Sequence, residues 1–434
     1  MQVLKRSLRN SEAYWQRAKK LIPAGTQTLS KGPTQFVDGV APKYLKRGLG
    51  SHVWDVDGNE YIDYGMGLHP IVLGYAYPRV NEAIRRQLED GTTFTLMHPL
   101  EVEVSELLNK TIPCAEMVRF GKSGSDATSA AVRVARAATG RDKVVCCGYH
   151  GWHDWYVGST ERAKGVPQEV RTLTESFNYN DIASLEQVFD RNKKQIAAVI
   201  MEPVGVIEPK DDFLQRVRDL AHENGALLIF DEIITGFRLS LGGAQEFFGV
   251  TPDLAAFGKA MANGMPISSL VGKSEVMSQL NEVFFSSTFG GEALSLAATI
   301  ATISELRQKD VISHIWKQGK KLQDAYQRIS AEAHLENGYT TSFMGYPPRT
   351  LATFRNASGQ DCLEMKSLFQ QEMIKRGILF TGYNAVSFSH SDEDIARTIE
   401  AYSDSMSIVA KAAKEKDFRK HLEGGVVSPV FRNA

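Results

Sequence analysis

The sequence predicts an α/β protein, with a large domain built on a mostly parallel central sheet flanked by helices and a smaller α+β domain. Three observations carry this expectation. Between about residues 100 and 272 helical and strand patterns alternate, as βαβ units do. The strand candidates there, 118–120, 143–147, 196–201, 226–230, 254–257 and 267–271, are short and nearly continuous apolar runs, which is what helices covering both sheet faces demand. After about residue 300 the pattern changes: helical runs at 294–306 and 316–329 lead to a strand-like 377–380 and a helix from Glu393. This block is read as the second domain, joined through its long opening helix.

Taken in chain order, the first clear element is a β-hairpin. Val53-Trp54 and Tyr61-Ile62 flank Asp57-Gly58, a strong turn signal. Asp55, Asp57 and Asn59 imitate the start of a calcium loop. That loop needs glycine where Glu60 stands and glutamate where Met66 stands, so calcium is rejected. Further on, 125–139 sets Ala127, Ala131, Val134, Ala135 and Ala138 on one helical face, with Gly140 placed as its C-cap.

Composition narrows the function. With 434 residues the chain holds material for two or three domains, and 43% hydrophobic and 23% charged residues disfavour disorder, collagen and coiled coil. Lys plus Arg number 50 against 51 Asp plus Glu, so no net field favours nucleic acid or an anionic membrane. A small-molecule role follows. Cys114, Cys146, Cys147 and Cys362 lack disulfide-framework or CxxC zinc spacing, which fits reduced thiols in the cytoplasm. Residues 1–23 carry Lys5, Arg6, Arg9, Arg17, Lys19 and Lys20 without an apolar core, so no signal peptide is expected, and no stretch has the length of a membrane span. Neither an internal repeat nor a low-complexity stretch is present.

In an open α/β sheet ligands sit beyond the carboxyl ends of the strands. Those positions are polar here. Strand 118–120 runs into Gly121-Lys122-Ser123-Gly124-Ser125-Asp126 at a helix start, an anion cradle or a plain N-cap. Strand 143–147 leads to Gly148-Tyr149-His150-Gly151-Trp152-His153, an aromatic loop able to cover a flat ligand. His150 and His153 also have zinc spacing, but no third ligand stands at a recognisable offset, so no metal is expected. Strand 196–201 ends in Glu202. Strand 226–230 ends in Asp231, a carboxylate for a cation or ring nitrogen, or a partner for Arg238. Strand 254–257 runs through Gly258 into Lys259, which is a nucleophile if desolvated and surface otherwise. A phosphate cradle, an aromatic face, a carboxylate and a lysine along one sheet edge are together the parts that hold pyridoxal phosphate.

At this point the chain resembles a known family, the class III, fold-type I, pyridoxal-phosphate-dependent aminotransferases, and within it the glutamate-1-semialdehyde 2,1-aminomutase group. The likeness runs over most of the chain: WDVDGNEYIDY (54–64), MVRFGKSGSDATSAAVRVARAATGRDK (117–143), YHG (149–151), MEP (201–203), LLIFDEIITGFR (227–238), GVTPDLAAFGKAMANGMP (249–266) and STFGGEALSLAA (287–298). It implies a large cofactor domain over 76–310, a small domain over 311–434, and an N-terminal segment, 1–75, contributing to the small domain and the site entrance. By the same resemblance Lys259 bonds the cofactor and shuttles a proton, and Asp231 keeps the ring nitrogen protonated. Tyr149 and Ile233 cover the two ring faces, and Ser123, Gly124 and Ser125 bind the phosphate. Thr288 reaches the phosphate of a neighbouring subunit, which implies a homodimer with shared sites. His150, Glu202 and Arg238 belong to the same motifs without a chemical step of their own.

Two departures fall where the family recognises substrate. The N-terminal loop, 23–31, offers Lys31 in place of an arginine, and Thr381-Gly382-Tyr383-Asn384 replaces a segment that carries a glutamate, ahead of His390-Ser391-Asp392-Glu393-Asp394. The implied function is therefore transfer of an amino group from an amino-acid donor to an aldehyde or ketone, sugar-derived ones among them, in biosynthesis. The alternative is the aminomutase reaction giving 5-aminolevulinate for tetrapyrroles. A nicotinamide dehydrogenase would need G-x-G-x-x-G after a strand, which the chain lacks. The presence of Lys259 and Asp231 argues against a binding protein that has lost catalysis.

Overall fold

The computed structural model describes residues 6–428. Lys5, with the rest of 1–5 and 429–434 at the ends of the expected outer segments, lies outside the described residues. The chain divides into two compact units: the N-terminal part to Tyr77 together with the chain from Ser313 onward, and Pro78–Ile312.

The first unit opens with β1 (Leu45–Leu49), β2 (His52–Asp55) and β3 (Glu60–Asp63). β2 and β3 form the expected hairpin, with Val53 opposite Tyr61. The acids that imitate a calcium loop are engaged with backbone: the Asp55 carboxylate accepts the N–H groups of Asp57 and Asn59 at 3.0 and 2.8 Å. Asp57 accepts those of Asn10 and Ser11, both at 2.8 Å, and so caps the helix Arg9–Leu21.

The second unit holds β4 (Met117–Gly121), β5 (Lys143–Cys147), β6 (Thr174–Ser176), β7 (Ile196–Met201), β8 (Leu227–Asp231), β9 (Leu254–Phe257) and β10 (Ser268–Gly272) in one sheet, ordered β4-β10-β9-β8-β7-β5-β6. Pairs β5–β6, β5–β7, β7–β8 and β8–β9 are parallel. β10 is antiparallel to both neighbours, so the sheet is mostly rather than wholly parallel. All six expected strands are present; β6 is an addition. β7 is buried along its whole length, and the helix Gly124–Thr139 presses Ala131, Val134 and Ala135 into the core with Val144, Ile200, Ile229 and Leu270. Each fully buried valine, leucine or isoleucine among them stabilises the unit by about 1.5–3 kcal/mol. Gly140 ends that helix at φ +65°, a left-handed C-cap.

The helical runs expected at 294–306 and 316–329 are separate helices, Ala293–Gln308 and Val311–Glu332, with Asp310 between them at φ +47°. The chain then returns to the first unit as β11 (Thr340–Met344), β12 (Arg349–Arg355), β13 (Ile378–Leu379) and β14 (Tyr383–Ala385). β13 joins β3 in parallel, Ile378 opposite Ile62, and β11-β12-β14 make an antiparallel sheet. The helix Asp392–Glu415 begins at a reciprocal capping box of Ser391 and Asp394.

His52 ties this unit together. Its Nε2 lies 2.9 Å from Asp394 Oδ1 and its Nδ1 2.8 Å from Glu60 Oε1. The hydrogen bond to Asp394 raises the His52 pKa against the opposing effect of burial. Burial pushes Asp394 up, but the His52 ring, the Ser391 N–H and the Ser51 hydroxyl outweigh it and hold the carboxylate low. A raised folded pKa means that the His52 contribution is complete below the ordinary histidine value and is lost as pH rises through the raised one. The thermal midpoint of the wild type should therefore exceed that of His52→Gln by more at acid than at alkaline pH, a gap that paired melting curves across that range will measure. A gap independent of pH would contradict the assignment.

Candidate active site

The site residues gather on loops at the carboxyl ends of β4, β5, β7, β8 and β9. After β4, Ser123 is the N-cap of the helix Gly124–Thr139: its Oγ accepts the Asp126 N–H at 3.2 Å. Asp126 in turn accepts the N–H groups of Ser123 and Lys122 at 2.8 and 2.9 Å. The capping reading of this segment is thus realised, and it leaves the cradle intact. The N–H groups of Gly124 and Ser125, the first two of the helix, have no acceptor among the described residues. They supply the fixed donors and the positive helix end that an anion needs.

The loop after β5 is shaped by two glycines with left-handed φ, Gly148 at +104° and Gly151 at +103°. A Cβ at 151 would lie 2.2 Å from Ser125 Oγ, and one at 148 would lie 2.7 Å from Glu202 Oε2. Only glycine lets the loop approach both neighbours. It is held there by the N–H groups of Trp152, to Ser125 Oγ at 3.3 Å, and of Tyr149, to Glu202 at 3.1 Å. Glu202 is accordingly an anchor for the loop. Tyr149 is half exposed, with its ring edge-on to Tyr156 at 5.6 Å.

His150 is buried, and its Nδ1 lies 2.8 Å from Asp231 Oδ2. The other Asp231 oxygen accepts the Ile233 N–H at 3.2 Å. The partner of Asp231 is therefore His150, where sequence reasoning had considered Arg238. The His150 ring lies nearly parallel to Trp155, and its Nε2 is buried without a partner among the described residues. His153 turns away, its Nδ1 2.6 Å from Ser129 Oγ. Among the described residues no group of three or more His, Cys, Asp or Glu side chains is arranged for a metal ion.

Lys259 follows β9 after Gly258 alone, at the start of the short turn Lys259–Ala262 and at φ +41°. A lysine held in left-handed backbone is strained, and such strain concentrates at functional sites. The Ile233 side chain bridges this turn and the cradle: a Cβ at Gly124 or at Gly258 would lie 3.1 Å from its Cδ1. Thr288 stands exposed on the segment before the helix Ala293–Gln308 and makes no hydrogen bond among the described residues.

Sequence reasoning missed Ser268, whose buried Oγ has no partner among the described residues and would lie 3.0 Å from a Cβ at Gly121. A serine opening an apolar strand was the available signal. Trp155, which backs His150 and donates to Ser129 Oγ at 2.9 Å, was equally visible only as an aromatic.

Unsatisfied N–H groups, an orphaned hydroxyl and a histidine-braced carboxylate face one edge, and the glycines leave no side chain in the way. That donor set fits a flat ring with a protonatable nitrogen and a phosphate arm, so the fold and site define an α/β enzyme dependent on pyridoxal phosphate. The chain belongs to the class-III aminotransferase family, whose model matches residues 37–337. It is 38% identical to 3-aminobutyryl-CoA aminotransferase of Cloacimonas acidaminovorans over 94% of this chain and 99% of that one. To glutamate-1-semialdehyde 2,1-aminomutase of Alkaliphilus oremlandii it is 37% identical over 93% and 100%. Among solved structures it superposes on the PLP internal aldimine form of the Sphingopyxis sp. MTA144 FumI protein with a TM-score of 0.85, at 27% identity over 93% of this chain and 97% of that one.

Proposed function

We propose that the protein is an aminotransferase that takes an amino group from an amino-acid donor and delivers it to an aldehyde or ketone, sugar-derived carbonyls included, in a biosynthetic reaction. The Asp231–His150 pair beside the Lys259 turn is the observation that carries this reading. Pyridoxal phosphate supplies an aldehyde for the amino group and a ring that accepts an electron pair. In this reading Lys259 would hold the cofactor at its aldehyde, and its amine, once free, would move the proton at the reacting carbon as base and then acid. Asp231 would hold a proton on the ring nitrogen, with His150 fixing the carboxylate. Tyr149 and Ile233 would enclose the ring, while Ser123, Gly124 and Ser125 would hold the phosphate from the helix start.

Lys31 and the acid-free Thr381–Asn384 segment, set against the aminomutase pattern, support an external donor, as does the aminotransferase relative. The aminomutase reaction remains the second reading, favoured by the similarity to that enzyme. Loading the protein with cofactor and offering L-glutamate with keto-sugars, aldehydes and a 3-oxoacyl thioester separates the two. Formation of 2-oxoglutarate that depends on an acceptor supports the first. Turnover of glutamate-1-semialdehyde with no donor present supports the second. The four free cysteines suit work in the reducing cytoplasm, and no described helix is long and apolar enough to cross a membrane.

A homodimer completes the reading. Phe94, Leu96, Met97, Phe284 and Phe289 are all large and exposed, the last two on either side of Thr288. Large exposed apolar residues concentrated on two short segments are what an interaction surface requires. Light scattering after gel filtration should give twice the chain mass of 48.1 kDa. A monomer with full activity would refute the shared site.

A further inference from the structure

A cavity of about 300 Å³ in the first unit is lined by Arg6, His52, Glu60, Tyr61, Gly377 and Arg397. Two guanidinium groups face it, and neither forms a salt bridge among the described residues. Arg397, on the helix Asp392–Glu415, makes no ion pair or hydrogen bond among the described residues. Arg6 lies flat on the Tyr61 ring at 4.3 Å and gives one bond, from Nη1 to the Glu60 carbonyl at 3.3 Å. Its Nε is buried without a partner among the described residues.

The nearby acids are already engaged. Glu60 turns its carboxylate to His52 at 2.8 Å. Asp55 accepts from the backbone of Asp57 and Asn59, the Asn59 side chain and the Tyr61 hydroxyl. Gly377 leaves the cavity open, since a Cβ there would lie 3.0 Å from Arg6 Nη2. Burial lowers the Arg6 pKa; the nearby Tyr61, Asp55 and Glu60 oppose that shift, and the charge of Arg397 adds to it, so the two cations repel across the cavity.

A desolvated, unpaired cation is costly, and an anion between two guanidinium forks removes both the repulsion and the orphaned donor. We propose that this cavity is a binding site for a phosphate group, free or as a phosphate monoester. A phosphate can give a pair of oxygens to each arginine fork and carries up to two charges, whereas a carboxylate has two oxygens in all and one charge. The site lies wholly within the first unit, and the proposal does not rest on the aminotransferase reading.

The test is calorimetric titration of the cofactor-loaded protein, whose cofactor phosphate site is then filled, with inorganic phosphate at ionic strength held constant by chloride. Binding of one phosphate per chain is expected, weakened at least about tenfold by Arg397→Gln and by Arg6→Gln. Arg397 is exposed, so its variant keeps the fold, and transaminase activity should be unchanged in it. Tighter binding of glycerol phosphate would make the monoester the natural occupant, and the reverse would make it free phosphate. The proposal falls if the wild type binds no phosphate, if Arg397→Gln binds it equally well, or if acetate binds as tightly.

Discussion

Lys259→Ala should reduce turnover by about 10⁴-fold or more, since on the proposed assignment the variant loses both the group that would bond the cofactor and the base that would move the proton. Alanine meets the same backbone strain at φ +41° as lysine does, so the turn between β9 and Ala262 should persist. Circular dichroism and gel filtration should match the wild type. The cofactor's visible band should shift to that of the unattached aldehyde, and added methylamine should restore part of the rate. A variant with an unchanged spectrum would refute the role assigned to this lysine.

Asp231→Asn should have the second largest effect, about 10²–10³-fold in kcat. The asparagine oxygen can still accept the Ile233 N–H now held at 3.2 Å, so local geometry is retained while the charge is lost. On the proposed assignment the ring nitrogen would then have nothing to keep its proton, and the electron pair at the reacting carbon would lose its sink. Asp231→Glu should recover part of the loss. His150→Asn, which leaves the carboxylate in place but removes its 2.8 Å partner, should cost about tenfold and shift the pH profile of kcat. Equal losses in Asp231→Asn and His150→Asn would contradict the division of roles between them.

The sheet was legible because its strands are buried on both faces: continuous runs such as Ile196–Met201 announce themselves without any partner. Thr174–Ser176 was not, being three residues long with Glu175 in the middle and Ser176 exposed at the sheet edge. The β11–β12 hairpin was missed for a different reason. Arg349–Arg355 alternates buried and half-buried residues, a period-two signal hidden among arginines and threonines. That β13 would pair with β3, from the opposite end of the chain, no local pattern can express.

Residue types at strand ends singled out Lys259, Asp231 and the Ser123–Ser125 segment as candidates because position along an α/β sheet limits where chemistry occurs, and the structure places all of them at such ends. What the sequence could not reveal is which side chains meet. His150 stands 81 residues before Asp231 and touches it because β5 and β8 both flank β7. The glycines at 148 and 151 read as turn formers, while their close approach to Glu202 and Ser125 is a fact of packing between loops.

Whether an outside amino acid loads the enzyme, as proposed, is decided by mixing the cofactor-loaded protein with L-glutamate and other L-amino acids in the absence of any acceptor. Absorbance and 2-oxo acid are then read from the same sample. One donor should bleach the cofactor's visible band while one equivalent of its 2-oxo acid appears per active site. A band untouched by every amino acid, in a protein that converts glutamate-1-semialdehyde unaided, would contradict the proposal.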